Sequence, residues 1–152
     1  MNLSFAPVAP SDFEALFALR VAAMRPSLER LGVFNLDRAR KRFLGQFEPQ
    51  YMQHICVDEG AGEGPQRAGL LTLVPYDDGR LKLQHLYLLP AWHNRRIGDW
   101  ALQHVQTQAR SQGRAVWLEV LNQSDAIRFY ERHGFVQTGG DPIDLLYQWT
   151  PA

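Results

Sequence analysis

The chain has 152 residues, 45% of them hydrophobic, with 16 basic side chains balanced by 16 acidic ones. That length suits one domain with a sizeable core, and 21% charged residues argue against wholesale disorder. Zero formal net charge removes any general attraction to nucleic acid or anionic lipid, and no apolar run approaches the ~20 residues that span a bilayer.

Met1-Asn-Leu-Ser4 carries no basic stretch followed by an apolar one, so a secretory signal is not expected. A single cysteine, Cys56, forms no internal disulfide, which fits a cytoplasmic protein. The basic residues are 14 Arg and 2 Lys. Arg suits bidentate capture of phosphate or carboxylate, although genome base composition produces the same bias.

In chain order, residues 3–8 read as a first strand, and Ser11 or Asp12 caps a helix whose apolar positions run from Phe13 to Met24 and stop at Pro26. A second helical region covers Ser27–Leu31 and Asp37–Phe47, broken by Gly32–Asn35; its basic run Arg38–Arg42 reads as a solvated face. Strands follow at Tyr51–Glu59, Ala68–Pro75 and Leu81–Leu89, the last two joined by an Asp78-Gly79 hairpin. Pro90–Ile97 is a loop, Gly98–Ser111 a helix ended by Gly113, and Ala115–Leu121 an apolar strand. Ser124–His133 is a helix stopped by Gly134, and Phe135–Thr138 with Ile143–Trp149 form an antiparallel pair. No repeat or linker interrupts the order, which indicates one mixed α/β domain over residues 1–152.

Chemistry concentrates between Leu81 and Gly134. A strand runs through Pro90-Ala-Trp-His-Asn-Arg-Arg-Ile-Gly98 into a helix, and a helix start offers unpaired N–H groups and a positive dipole end to a phosphate. Arg95 and Arg96 add charge there, and Gly98 lets the backbone come close. Downstream, Leu118-Glu-Val-Leu121 ends a strand, and Ala126, Phe129, Tyr130, Gly134 and Phe135 punctuate the next helix and its stop.

These two segments, in this order, resemble the GCN5-related N-acetyltransferase (GNAT) superfamily. His93–Gly98 aligns with its pyrophosphate motif Gln/Arg-x-x-Gly-x-Gly/Ala, with His93 at the first position and Arg96 in place of the first glycine. In the second motif Gln123 stands at the usual Asn position, with Asn122 one residue earlier. The resemblance implies a mixed, mostly antiparallel sheet of about seven strands splayed between strands 4 and 5, with about four helices. It further implies acetyl transfer from acetyl-CoA, in a ternary complex, to a small-molecule amine or a peptide N-terminus. The pantetheine arm would bond to Leu86, Tyr87 and Leu88, and the pyrophosphate would lie over His93, Asn94, Arg95, Arg96, Ile97, Gly98 and Asp99. Asn122 or Gln123, with Ala126, Phe129 and Tyr130, would complete the cofactor site.

Tyr130 occupies the family's usual general-acid position. For the base, many relatives carry a Glu where this chain has Lys82, which leaves Glu119 or His85. Glu119 projects opposite Leu118 and Val120, and a carboxylate in that apolar strand needs a purpose or a partner. His85 has a reference pKa near ~6.5, suited to neutral pH. The acceptor site implied by the resemblance involves Arg20, Met24, Arg25, Leu31, Phe34 and Asn35, with Asp141, Asp144 and Tyr147; the two aspartates read equally as turn residues around Pro142. The five histidines fall in no zinc-binding spacing, so no metal is expected, and neither a nucleic acid nor a membrane is. GNAT domains often pair, which leaves a homodimer open. An acyl-CoA-binding module without catalysis is the alternative reading.

Overall fold

The structure is a computed structural model describing residues 1–152. Strand β1 (Asn2–Pro7) leads into helices α1 (Phe13–Arg30) and α2 (Leu36–Gln46), then strands β2 (Met52–Asp58), β3 (Gln66–Pro75) and β4 (Leu81–Leu88). Helix α3 (Ile97–Gln112), β5 (Val116–Leu121), α4 (Ala126–Arg132), β6 (Val136–Gly140) and β7 (Asp144–Trp149) complete the chain. The seven strands form one sheet in the order β1-β2-β3-β4-β5-β7-β6, in which only the β4–β5 pair is parallel.

Two local expectations need correcting. Helix α1 does not stop at Pro26 but runs to Arg30, because Pro26 removes one N–H bond on an exposed face and the turns after it continue. Between β3 and β4 only Gly79 has positive φ; Tyr76 N–H bonds to the Arg80 carbonyl at 2.8 Å, so the turn is longer than two residues.

Each face of the sheet carries its own core. Helix α3 buries Ile97, Ala101, Leu102 and Val105, spaced to share one helical stripe, against Leu81, Leu83, Val116 and Leu118. On the other face Leu16, Phe17 and Phe43 of α1 and α2 pack on Met52 and Leu70. Asp12 fixes the start of α1 to the sheet: it accepts from Ala9 N–H at 2.8 Å, His54 Nε2 at 2.9 Å and Arg67 Nη1 at 3.0 Å.

Strand β4 changes phase part-way. Thr72 pairs with His85 and Leu73 with Leu83, so Gln84 is an extra residue in the ladder. Before this bulge Leu81 and Leu83 face α3; after it Leu86 and Leu88 do, while Tyr87 turns to the α1–α2 side and His85 meets Phe43 of α2. Gly69 permits the approach of β3 to this shifted end, since a Cβ there would overlap the Tyr87 carbonyl oxygen.

Gly69→Ala is expected to cost about 1–3 kcal/mol through this overlap; an unchanged melting temperature would contradict it. The hydrogen bond from His54, foremost, holds the Asp12 carboxyl at about 2 instead of 3.8. A depressed carboxylate lends stability above its unfolded pKa and loses it as pH falls through the folded one. Asp12→Asn should therefore cost about 2 kcal/mol at neutral pH. Thermal melts of the two proteins should converge as pH falls from 4 towards 2, and a constant gap would contradict the assignment.

Candidate functional site

Between β4 and β5 only Leu81↔Val116 and Lys82↔Trp117 are in register. Beyond them β5 stays paired with β7 along its length, from Val116↔Trp149 to Leu121↔Asp144, while β4 stays with β3. The two strands part, and the inner edge of β4 past Lys82 has no strand beside it, while the Tyr87 carbonyl points to Gly69 of β3. An unpaired strand edge is a template for an extended ligand with its own amide groups.

Helix α3 begins at the wide end of this opening. Its N-cap, Arg96, is left-handed at φ 61° and supplies no side-chain cap, so the N–H groups of Ile97, Gly98 and Asp99 have no intrahelical acceptor. Asn94 is also left-handed, at φ 62°. Gly98 has no positive φ; a Cβ there would touch the Phe129 ring at 3.4 Å, so its role is close packing against α4. His93 Nε2 donates to the Leu88 carbonyl at 2.9 Å, tying the loop to the end of β4.

The charged side chains divide. Arg95 lies 5.0 Å over the Trp92 ring and 3.4 Å from Glu59. Asp99 turns its carboxylate to His133 at 2.7 Å and Arg132 at 3.3 Å, and His133, chiefly, lowers its pKa. Asp99 is thus occupied within the protein and offers a ligand its backbone. Arg96, Arg132 and His133 line a cavity of about 390 Å³ beside the helix start. Sequence reasoning missed Arg132 and His133, because the end of α4 meets α3 only through tertiary packing.

At the opening, Tyr130 is buried with its ring against Phe129 and Phe135. Burial raises its phenol, with Tyr87 on β4 adding to the effect, so it is protonated at neutral pH. Ala126 opens α4, on which Phe129 also packs against His133. Asn122 is drawn to the β6–β7 turn: its backbone N–H bonds to the Ile143 carbonyl at 2.8 Å and its Nδ2 to Pro142 O at 3.2 Å. Gln123 takes the left-handed turn, at φ 68°, between β5 and α4.

A second cavity, of about 330 Å³, lies between α1, α2, β4, β5 and the β6–β7 turn. Arg20, Met24, Asn35, Asp141 and Asp144 line it. Arg25 does not: it pairs with Glu29 and covers the Phe34 ring at 4.6 Å. Leu31 and Phe34 are also absent from the lining, and Tyr147 is buried with its hydroxyl on Glu131 at 3.1 Å. Arg38, Arg42 and Gln46 of α2 do line it, so the basic run is not simply a solvated face. Their i, i+4 spacing was the available signal.

Glu119 faces this cavity, with Lys82 Nζ at 2.7 Å and Arg42 Nη2 at 3.8 Å. The partner that an apolar strand demanded for its carboxylate is therefore Lys82. His85 is fully engaged: Nε2 donates to Gln46 Oε1 at 2.9 Å, and Nδ1 accepts from the Thr72 hydroxyl at 2.9 Å. Burial, then the cations Arg20, Lys82 and Arg42, lower its pKa to about 3. With no free basic nitrogen, His85 is a packing residue of the site and not its base. Asp141 does serve the turn, its Oδ1 accepting from Ile143 and Asp144 N–H at 2.8 and 2.7 Å, whereas burial raises the Asp144 carboxyl.

Residues 50–137 match the family model described as the acetyltransferase (GNAT) domain. No curated protein sequence matches the chain. Among solved structures, the PaiA N-acetyltransferase of Thermoplasma acidophilum in complex with coenzyme A is similar over 99% of both chains, with TM-score 0.75 and 16% identity. The ribosomal-protein-S18-alanine N-acetyltransferase of Escherichia coli is similar over 99% of this chain and 95% of its own, with TM-score 0.72 and 16% identity. An acetyltransferase from Thermus thermophilus is similar over 99% of this chain and 97% of its own, with TM-score 0.72 and 18% identity. At these identities the structural likeness is one of fold; with the family match over more than half of its length, the chain belongs to the GNAT acetyltransferases.

Proposed function

We propose that the protein transfers the acetyl group of acetyl-CoA directly to a primary amine, of a small molecule or a peptide N-terminus, held in the 330 Å³ cavity. The observation that carries this reading is the parting of β4 and β5 between a helix start with free N–H groups and a second, charged cavity. Acetyl-CoA supplies the thioester. Ile97, Gly98 and Asp99 offer backbone N–H groups to its diphosphate, and Arg96 and Arg132 offer charge beside them. The open edge of β4 offers Leu86–Leu88 to the pantetheine amides.

The amine nitrogen gains a bond to the acetyl carbon as the carbon–sulfur bond breaks. Two protons must move. An ammonium near pKa ~10 stands about six units above a carboxylate, so a base works only in concert with attack or by passing the proton to water. Glu119 is the carboxylate on the cavity wall that we assign to this, with Lys82 Nζ at 2.7 Å. Tyr130, protonated at the opening, donates to the departing thiolate.

Tyr130→Phe should lower kcat about a hundredfold while leaving coenzyme A affinity within about twofold. Unchanged turnover would remove Tyr130 as the acid. Glu119→Gln should flatten the acidic limb of the rate–pH profile, where the wild-type base is protonated; a limb of unaltered position would place the base elsewhere. Arg96→Gly and Arg96→Ala separate strain from charge. Both should weaken coenzyme A binding, and only the glycine variant relieves the left-handed strain of about 1 kcal/mol. In calorimetry Arg96→Gly should melt above Arg96→Ala, and the reverse order would contradict the strained cap.

A further inference from the structure

Arg20 is a cation that the fold does not neutralise. Its residue is 5% exposed, and its Nε is buried with no hydrogen-bond partner. The glutamate that shares its cavity, Glu119, is engaged with Lys82 and Arg42. What Arg20 does meet is uncharged, the Phe43 ring at 6.0 Å and the Tyr87 phenol, while His85 nearby is neutral. Burying an unpaired guanidinium is costly, and apolar replacements at buried charges are often neutral or stabilising, so its presence needs an anion from outside the chain. It lines the 330 Å³ cavity, where Arg38 is a second cation without a carboxylate partner. Across the same cavity Asp141 and Asp144 have no cationic partner. The cavity is therefore bipolar, with a cationic α1–α2 wall and an acidic β6–β7 turn.

We infer that Arg20 anchors an anionic group, carboxylate or phosphate, on the acceptor, so that the substrate is a small amine that also carries a negative charge. The inference rests on the acetyltransferase reading and narrows it. A polyamine would set its second charge against Arg20 and Arg38, and a simple alkylamine would leave Arg20 uncompensated. A planar, bidentate guanidinium suits either anion, so carboxylate and phosphate are distinguished by experiment.

The test pairs amines that differ only in the anion: alanine with alaninamide, glutamate with its diamide, and phosphoethanolamine with ethanolamine. Each is assayed with acetyl-CoA for thiol release, and for its effect on the melting temperature of the coenzyme A-loaded protein. At least one anionic member should exceed its neutral partner by about tenfold or more in kcat/KM and raise the melting temperature further. The pair that responds identifies the anion. Arg20→Met should abolish both differences, chiefly through KM, without lowering the melting temperature of the free protein. Arg20→Lys should restore part of the preference. Equal use of paired amines overturns the inference and leaves the acetyltransferase reading standing. So does a preference that survives in Arg20→Met, or an Arg20→Met variant that melts lower and keeps its selectivity. Retained melting differences without thiol release from any amine support the anion site and overturn acetyl transfer. Neither response overturns both.

Discussion

The site depends on a sheet that is required to come apart in its middle. Strand β5 pairs with β7 over six positions and β4 with β3 over seven, but β4 and β5 share only two. A buried sheet ordinarily satisfies its backbone polar groups along every strand. Here the ladder opens because Gln84 interrupts β4, and the shifted strand is held against β3 where Gly69 allows it within reach of the Tyr87 carbonyl. The bulge also assigns faces. It sends Leu86 and Leu88 to the α3 side and Tyr87 towards α1 and α2, so the two flanks of the opening differ in character.

That division organises the charges of the protein. On the α3 flank the helix start and Arg96 face a cavity in which Asp99 is paired with Arg132 and His133. On the α1–α2 flank the charges are mixed, with Lys82, Glu119 and Arg42 in one row and Arg20 and Asp144 unpaired on either side. Zero net charge for the whole chain conceals both arrangements. Electrostatics here act over a few ångströms within cavities, where screening by water is weak, more than through a long-range field.

Much of this was legible in the sequence, where local chemistry decides structure. The hydrophobic stripe of α3, the Gly113 stop at φ 65° and the alternation in β5 led to elements within a residue or two of those observed. What could not be read depended on pairing between distant segments. Pro26 looked like a helix end because the exposure of its turn, which makes the lost bond tolerable, is a tertiary property. The β4 bulge leaves a trace in the apolar positions of Leu81-Lys-Leu-Gln-His-Leu-Tyr-Leu88, which change phase between Leu83 and Leu86, but the extra residue is fixed only by pairing with β3. The same shift put His85 against Phe43 and between Thr72 and Gln46, turning a candidate base into a neutral packing residue. Arg38 and Arg42 were readable in principle from their spacing, but which face of α2 meets a cavity is set by α1 and β4.

The central claim is that the parted strands and the start of α3 together form a coenzyme A site. It is tested most directly by calorimetric titration of the purified protein with acetyl-CoA, coenzyme A and dephospho-coenzyme A. Saturable binding of one molecule of acetyl-CoA or coenzyme A per chain is expected, weakening as salt rises because phosphates are held partly by exposed Arg side chains. The dephospho compound shows whether the 3′-phosphate is read. No heat and no saturation with any of the three would contradict the claim, leaving the left-handed Arg96 loop as a closed entrance to the fold.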